Sequence, residues 1–259
     1  MTGPPASPLE PVQTMARVPT RMHAVILAGG QGTRLRPYTT VLPKPLMPIG
    51  DLPILEVVLR QLKRADVTRV TLAVSYLAEL IEAYCGNGSR LGLDIRYSRE
   101  TRALSTAGPL KLVPDLDETF LVMNGDVLTT LDYAAMVRHH RANGAAATLA
   151  MHRRSVKIDY GVVEVEADGR LADYIEKPEL HYAVSMGVNV LEPRALGHIQ
   201  DGESIGMPDL MLRLKAAGEK VMAYDAPCEW LDIGRMDDYE QALEIFARRR
   251  ADFLPENGG

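Results

Sequence analysis

Cysteine, aromatic residues and long apolar runs are all scarce in this sequence. Only 2 of its 259 residues are cysteines, and 5% are aromatic. Cys85 and Cys228 form no CxxC motif, so the spacing predicts neither a disulfide framework nor a structural zinc site, and it suits a reducing compartment. No apolar stretch approaches the roughly 20 residues of a membrane span, and residues 1–21 lack the apolar middle of a secretory signal. We therefore predict a cytoplasmic protein that has no membrane partner.

An excess of positive charge is missing as well. The chain carries 29 Lys and Arg residues against 34 Asp and Glu residues, a formal net charge of −5. Nucleic-acid binding depends largely on basic contacts to phosphates, so this balance argues against a nucleic-acid partner. Any anionic ligand must be held by local positive charge. The 46% hydrophobic content suffices for a large, mostly aliphatic core.

The chain divides into a proline-rich start and a long, regularly patterned body. Residues 1–21 contain five prolines and no periodic apolar face, which predicts a flexible tail. Residues 22–259 form one predicted domain, in which apolar periodicity places strands at 23–27, 67–74, 93–97, 119–123, 147–151, 161–166, 182–190 and 220–224. Helices are expected at 53–65, 77–84, 106–113, 131–143, 208–217 and 237–249. This alternation is typical of an α/β, Rossmann-like, doubly wound and mostly parallel sheet, mixed in its strand-rich second half. No internal repeat is present, so no C-terminal β-helix is expected.

A glycine-rich loop directly follows the first predicted strand. Its sequence is LAGGQGTRL, and glycines let the backbone approach a ligand and direct N–H groups at phosphate oxygens. Neither GxGxxG nor a Walker A lysine is present, which weakens the alternative of an NAD-linked protein, and an ordinary tight turn is the structural alternative. Arg34 closes the loop, and Lys44 follows between two prolines as a compact charge suited to phosphate. The predicted nucleotide-binding residues here are Leu27, Ala28, Gly29, Gly30, Gly32 and Thr33.

Two aspartates add candidate metal ligands to the glycine loop, Arg34 and Lys44. Asp126 ends a strand in the sequence NGD, and Asp232 precedes a glycine in WLDIG. Either aspartate alone could simply cap a turn or a helix. Together with the glycine loop, the two carboxylates predict a Mg²⁺ site, because Mg²⁺ prefers hard oxygen ligands and phosphate oxygens.

Five motifs, taken in order, resemble those of the sugar-1-phosphate nucleotidylyltransferases, also called NDP-sugar pyrophosphorylases. They are LAGGQGTRL, PKPL, NGD at 124–126, EKP at 176–178 and WLDIG at 230–234, and the resemblance runs from about residue 23 to residue 246. It implies a Rossmann-like nucleotidyltransferase fold that joins an NTP to a sugar 1-phosphate, releases pyrophosphate and uses Mg²⁺.

The resemblance also implies a role for each end of the site. Arg34 and Lys44 would stabilise the departing pyrophosphate, while Lys177 would hold the incoming sugar phosphate. The remaining sugar-phosphate residues would be Asn124, Tyr160, Gly161, Glu176 and Asn189. A strand start for Gly161 and a solvated loop charge for Glu176 are the structural alternatives.

The sequence departs from the family pattern in one loop. Residues 101–110, TRALSTAGPL, resemble the base-binding loop E-x-P-L-G-T-A-G, but Arg102 and Ala103 replace the acidic residue and the proline. Ser105 stands where the family has a glycine that approaches the nucleobase. The retained TAGPL is most similar to guanylyltransferases of the mannose-1-phosphate type, which favours GTP over dTTP, UTP or CTP. Ser105, Thr106 and Gly108 are the predicted base-loop contacts.

Three further interpretations concern an alternative function, the oligomeric state and two histidines. A catalytically silent homologue that binds an NDP-sugar and regulates a partner is the alternative function. A homo-oligomer is compatible with the sequence. His139 and His140 are adjacent on a predicted helix and point in different directions, so we interpret them as part of a polar helix face and not as a metal site.

Overall fold

The computed structural model describes residues 22–255, so the predicted tail at 1–21 and residues 256–259 lie outside the described residues. Its strands are β1 (Met22–Leu27), β2 (Pro48–Ile49), β3 (Leu52–Pro53), β4 (Val67–Val74), β5 (Asp94–Arg99), β6 (Phe120–Asn124), β7 (Val127–Thr129), β8 (Ala147–Lys157), β9 (Val162–Val165), β10 (Leu171–Ile175), β11 (Glu179–Leu191), β12 (Val221–Asp225) and β13 (Trp230–Asp232). Its α-helices are α1 (Ile54–Arg64), α2 (Ala78–Cys85), α3 (Tyr133–Asn143), α4 (Met207–Ala216) and α5 (Met236–Phe253).

A seven-stranded sheet in the order β12-β8-β11-β6-β1-β4-β5 forms the centre of the molecule. β1 is parallel to both β4 and β6, and the pairs β4–β5 and β8–β12 are also parallel. β11 runs antiparallel to β6 and β8. The expected mostly parallel, mixed α/β sheet is confirmed. The carboxyl ends of β1 and β6 lie side by side, which is where open α/β sheets bind ligands.

The helices cover the sheet because their apolar residues recur on one face. In α1 the fully buried side chains include Leu55, Val58, Leu59 and Leu62, spaced by three and four residues. Burial of each such side chain contributes about 2 kcal/mol. α3 begins where the Asp132 carboxylate accepts the Ala135 N–H at 2.9 Å and ends at Gly144, which has a φ of 59°. Asp132 and Gly144 are therefore the N-cap and C-cap residues of α3.

Two expectations are wrong. Residues 106–113 do not form an α-helix; a short 3₁₀ helix covers Gly108–Leu112, because Pro109 has no N–H and the Ala107 and Gly108 amides donate to Ile205 instead. His140 is not on a polar face. It is fully buried, and its ring nitrogens bond Thr148 at 2.8 Å and Glu192 at 3.0 Å, since this side of α3 packs on the sheet.

Residues 152–184 project from the sheet and are here called the arm. The outer halves of β8 and β11 pair with each other, and β9 and β10 form a separate two-stranded ribbon, of which β10 was not predicted. The arm carries nine of the fourteen exposed large apolar side chains of the described chain, among them Tyr160, Val165, Leu171 and Tyr174. The rest of residues 22–255, here called the body, contains the core.

None of the helices within residues 22–255 has both the length and the apolar composition to cross a lipid bilayer. The cytoplasmic location stays a prediction.

Candidate active site

A different structural feature explains the presence of each glycine in the loop after β1. A Cβ at Gly29 would lie 2.8 Å from Glu100 Oε1 and 3.1 Å from Ser75 Cβ, so glycine permits close packing there. Gly32 has a φ of 60°, a left-handed conformation that glycine adopts without strain. A Cβ at Gly30 would meet no atom within 4 Å, so this backbone faces open space. The loop is thus fixed at two glycines and open to a ligand at the third.

A cavity of about 490 Å³ lies over this loop at the carboxyl edge of the sheet. It brings together most of the predicted nucleotide residues with three charged groups and Asn124. From the sequence predictions its lining contains Leu27, Ala28, Gly29, Gly30, Gly32, Thr33, Arg34, Lys44, Ser105, Thr106, Asn124 and Asp126. Gly108 is buried behind this wall and does not line it. The volume is that of a small-molecule site.

Lys44 and Asp126 form an ion pair at the floor of the cavity. Lys44 is only 9% exposed, and the Asp126 side chain is 20% exposed. A lysine ammonium is rarely buried without a partner, because burial disfavours its charged form. The pairing keeps a positive charge in place at a wall that would face phosphate oxygens.

Asp232 reaches the same place through two short strands that the sequence did not predict. β13 pairs antiparallel with β7, and the register places Asp232 opposite Val127, the neighbour of Asp126. Partial desolvation and the adjacent charge of Asp126 raise the pKa of Asp232. A Cβ at Gly234 would lie 3.4 Å from Asp232 Oδ2 and 3.6 Å from the Arg34 guanidinium. The two carboxylates and Arg34 therefore share one small region.

These two carboxylates fit a hard divalent cation. Both offer oxygen ligands, and their mutual repulsion, visible in the pKa of Asp232, is relieved by a cation between them. Among residues 22–255 no group of three or more His, Cys, Asp or Glu side chains is arranged to hold a metal ion. Two protein carboxylates with phosphate oxygens and water are the arrangement in which proteins commonly hold Mg²⁺.

The base loop, residues 101–110, forms another wall of the cavity. Ser105 adopts a φ of 65°, the left-handed conformation that the family glycine would adopt freely. Its neighbour Thr106 also lines the cavity. The serine therefore places a side chain on this wall where the family pattern has none.

Sequence reasoning missed several residues of this cavity. Glu100 is the most informative, because its Oε2 accepts the Leu104 N–H at 2.9 Å while Oε1 packs against Gly29. It follows β5 directly, and the position of an acidic residue at a strand end beside the base loop was the available signal. The other unpredicted lining residues are Gln31, Pro45, Ala73, Ser75, Tyr76, Ala103 and Pro109.

The predicted sugar-phosphate residues of the arm form a second group outside this cavity. Tyr174 donates to Glu176 at 3.3 Å, and a Cβ at Gly161 would lie 2.2 Å from the Tyr174 hydroxyl, so glycine at 161 permits the observed position of the Tyr174 ring. The Glu176 and Lys177 side chains are 61% and 67% exposed, and Tyr160 is 79% exposed. Asn189 is buried in the inner part of β11 at 4% exposure. The roles of these residues stay predictions.

The arm borders the carboxylate pair through a smaller cavity. About 290 Å³ in volume, it is lined by Asp232 together with His152 and Arg154 of the arm. The base of the arm therefore lies beside Asp232, while Asp126 lines the cavity over the glycine loop.

Nearly all of the described chain matches a single protein-family model. The model is described as Nucleotidyl transferase, and it covers residues 23–249. The chain belongs to the nucleotidyl transferase family.

Named relatives of this nucleotidyl transferase handle sugar phosphates. It is 36% identical over 242 residues to a UTP–glucose-1-phosphate uridylyltransferase of Synechocystis, covering 86% of this chain and 62% of the relative. It is 35% identical over 226 residues to mannose-1-phosphate guanyltransferase beta-B of Xenopus laevis, covering 84% of this chain and 62% of the relative. The chain thus spans about three fifths of these curated relatives. The resemblance to sugar-1-phosphate nucleotidylyltransferases is confirmed.

The fold of the nucleotidyl transferase agrees with a solved structure. A Bacillus anthracis protein described as a glucose-1-phosphate thymidylyltransferase superposes with a TM-score of 0.70 at 22% identity, covering 86% of this chain and 94% of the other. At this identity the likeness establishes the fold alone. The expected Rossmann-like nucleotide-sugar transferase fold is confirmed.

Proposed function

We propose that this chain transfers a nucleotidyl group from an NTP to a sugar 1-phosphate and releases pyrophosphate. The cavity over the glycine loop carries the proposal, because it gathers phosphate-binding backbone, Arg34, Lys44 and Asp126 on one wall. A silent NDP-sugar-binding homologue would have little reason to keep these charged groups together with Asp232 and Lys177.

The nucleophile needs no general base in this reaction. A sugar phosphate oxygen is already ionised at neutral pH, so catalysis depends on positioning and on neutralising charge. Arg34 and Lys44 are proposed to bind the oxygens of the departing pyrophosphate, where negative charge grows in the transition state. Lys44 is held in place by Asp126 before substrate arrives.

The acceptor is proposed to approach from the arm. Gly161 and Glu176 would contact the sugar, with Tyr160 and Asn189 nearby on the arm and on β11, and Lys177 would hold the sugar phosphate. Asn124, which lines the cavity, lies between the two substrates in this arrangement. Because Lys177 is 67% exposed, its charge is free to turn toward a phosphate.

Mg²⁺ is the proposed cofactor, held by Asp126 and Asp232. When bound, it would neutralise charge on the phosphate oxygens and orient them for in-line displacement. The protein's part is to keep the two carboxylates adjacent through the pairing of β7 with β13.

The cofactor proposal is tested with Asp126→Asn and Asp232→Asn. Turnover should fall more than about tenfold in each, because each loses one charged hard ligand. Melting temperature in MgCl₂ against a chelator gives a second readout: the wild type should be stabilised by Mg²⁺ and the variants less so. Asp94→Asn, on β5, is the control that should behave as wild type. Full activity in excess chelator would contradict the assignment.

Guanine is the base that we propose. A carboxylate only accepts hydrogen bonds, and guanine presents two adjacent donors, N1–H and the N2 amino group, whereas uracil and thymine present one donor between two carbonyl oxygens. Glu100 supplies such a carboxylate at the cavity wall, and its Oε1 is not used by Leu104. This chemistry agrees with the retained TAGPL sequence.

A matrix of NTPs against sugar 1-phosphates, read out as pyrophosphate, tests the function. We expect activity with GTP above UTP, dTTP, CTP and ATP. Lys44→Ala should abolish most of it, while Lys215→Ala, on the exposed side of α4, should not. NDP-sugar binding without pyrophosphate release from any pair would favour the silent homologue.

Glu100→Gln tests the proposed base recognition. The variant should reduce the preference for GTP, and an unchanged preference would show that Glu100 does not recognise the base.

A further inference from the structure

The base loop is held by a second segment of the chain, residues 200–207, here called the support segment. The Ala107 and Gly108 N–H groups both donate to the Ile205 carbonyl, at 2.9 and 3.2 Å. In return, the Ile205 N–H donates to the Leu104 carbonyl at 3.2 Å. These bonds bracket Ser105 on both sides.

Side chains add to this backbone pairing. Thr106 Oγ1 accepts the Met207 N–H at 2.7 Å, and Arg102 donates to the Gly202 carbonyl. A Cβ at Gly108 would lie 2.4 Å from the Glu203 carbonyl oxygen, so the two segments touch with no room for a side chain. A shift of the support segment would therefore move the base loop as well.

An ion pair in turn holds the support segment to α4. The Arg213 guanidinium of α4 donates to both Glu203 carboxylate oxygens, at 2.6 and 2.9 Å. It also donates to the His198 carbonyl at 2.7 Å, and Glu203 accepts the Gln200 N–H at 2.9 Å. The bidentate bond from Arg213 lowers the pKa of Glu203 to about 2, so the pair stays ionised at any assay pH.

Ser105 is the residue that needs this support. A non-glycine residue at a φ of 65° is strained, and such a conformation persists only where the surroundings enforce it. Ser105 lines the nucleotide cavity, whereas Glu203 and Arg213 do not. A loss of support would let the loop relax where the nucleobase binds.

We propose that the Arg213–Glu203 ion pair is a positioning device for the NTP: through the support segment it holds Ser105 in the left-handed conformation that shapes the base site. The proposal rests on the proposed nucleotidyl transfer. Neither residue lines the cavity over the glycine loop, so we expect the pair to affect NTP binding through the base loop and to leave the chemical step and the acceptor alone.

The first experiment compares Arg213→Gln and Glu203→Gln with the wild type. The KM for the NTP should rise about three- to tenfold, while kcat and the KM for the sugar phosphate change less than about twofold. Arg213→Lys keeps the charge and loses the bidentate geometry, so its effect should be intermediate. Arg194→Gln is the matched control, because Arg194 pairs with Glu219 at 3.2 Å with similar exposure but away from the base loop.

A double variant tests whether the Arg213–Glu203 ion pair affects NTP binding through Ser105. Glycine needs no enforcement at a φ of 65°, so Arg213→Gln introduced into Ser105→Gly should raise the NTP KM less than about twofold. Hydrogen exchange gives a readout independent of activity: the Ala107 and Gly108 amides should exchange faster in Arg213→Gln than in Arg194→Gln.

The outcomes separate this inference from the proposed function. An unchanged NTP KM in Arg213→Gln, or an equal rise in both substrate KM values, overturns the positioning role. A full effect of Arg213→Gln in the Ser105→Gly background overturns the route through Ser105. If the wild type forms no NDP-sugar, the proposed function fails instead, and unchanged amide exchange in Arg213→Gln would then overturn the inference on its own.

Discussion

The body and the arm place the residues proposed for the NTP and for the sugar phosphate in very different surroundings. In the body, Lys44 is 9% exposed and paired with Asp126, and the glycine loop is fixed by packing at Gly29 and Gly32. On the arm, Lys177 is 67% exposed, and its nearest carboxylate oxygen, on Glu176, is 3.9 Å away. Charges that are held before binding cost little to organise, whereas exposed flexible ones lose side-chain entropy when they bind. The comparison predicts that the proposed NTP end is preorganised and that the proposed acceptor end becomes ordered when its substrate binds.

Arg34→Ala should give the largest effect. It removes the cation that we propose binds the leaving pyrophosphate, where stabilisation grows in the transition state, so kcat should fall about a hundredfold or more for every sugar tested. Steady-state kinetics with several sugar 1-phosphates would show this. If only the affinity for the sugar 1-phosphate changed, Arg34 would act at the acceptor end of the site, and the contrast between the body and the arm would be wrong.

Lys177→Ala should act on the other substrate. Loss of one charge-assisted contact, about 1.5–3 kcal/mol, should weaken use of the sugar phosphate by roughly one to two orders of magnitude. NTP binding, measured by calorimetry, should survive. Equal impairment of both substrates would show that the arm also serves the nucleotide. Arg153→Ala, an exposed change on the same arm, is the control.

Glu56, in the body, extends the comparison between the body and the arm to the free energy of unfolding. Its side chain is 1% exposed on α1, and although burial opposes ionisation, hydrogen bonds from Arg90, Tyr84 and Arg60 lower its pKa to about 2. A carboxyl with a lowered folded pKa stabilises the protein above its ordinary pKa of 4.5, and this contribution disappears as the pH falls from 4.5 toward 2. Glu56→Gln should cost about 2–3 kcal/mol at pH 7 in chemical denaturation and less at acid pH.

The exposed Glu176 on the arm is the control for Glu56. Glu176→Gln should leave the free energy of unfolding unchanged within about 0.5 kcal/mol, because exposed pairs contribute little. A large loss in Glu176→Gln would show that the arm is more tightly organised than its exposure indicates.

Ser105→Gly should stabilise the protein slightly. Relief of left-handed strain is worth about 1–2 kcal/mol, and the added chain entropy of glycine offsets about 0.5–1 kcal/mol of it, so thermal unfolding should show a gain of up to about 1.5 kcal/mol. Asp66→Gly, at a φ of 61°, should gain similarly. Only Ser105→Gly should change the relative KM values of different NTPs. A nucleotide effect in Asp66→Gly would contradict this reading.

The sequence predicted those parts of the site that follow a strand directly. The loop at Gly29–Gly32 and Asp126 lie at the ends of β1 and β6, and the apolar pattern placed both strands to within one residue. Adjacent parallel strands bring their carboxyl ends together, so the grouping of the loop with Asp126 could be expected from chain order alone.

Other features depended on packing between distant segments. β7 and β13 are three residues each, too short to show a period, yet their pairing brings Asp232 to Asp126. His140 has a polar side chain on a helix, and only the position of Thr148 and Glu192 explains its burial.

The amino-acid sequence by itself determined the order of the main strands and helices and the family, and it predicted the residues that we propose for the chemistry. Tertiary structure alone decided which carboxylates meet, that Glu100 lines the nucleotide cavity, and that the support segment holds Ser105. The physical reason is that local patterns report backbone preference and which face of an element is apolar. Contacts such as those of Arg213 with Glu203, and of Ile205 with Leu104 and Ala107, exist only after the elements have packed.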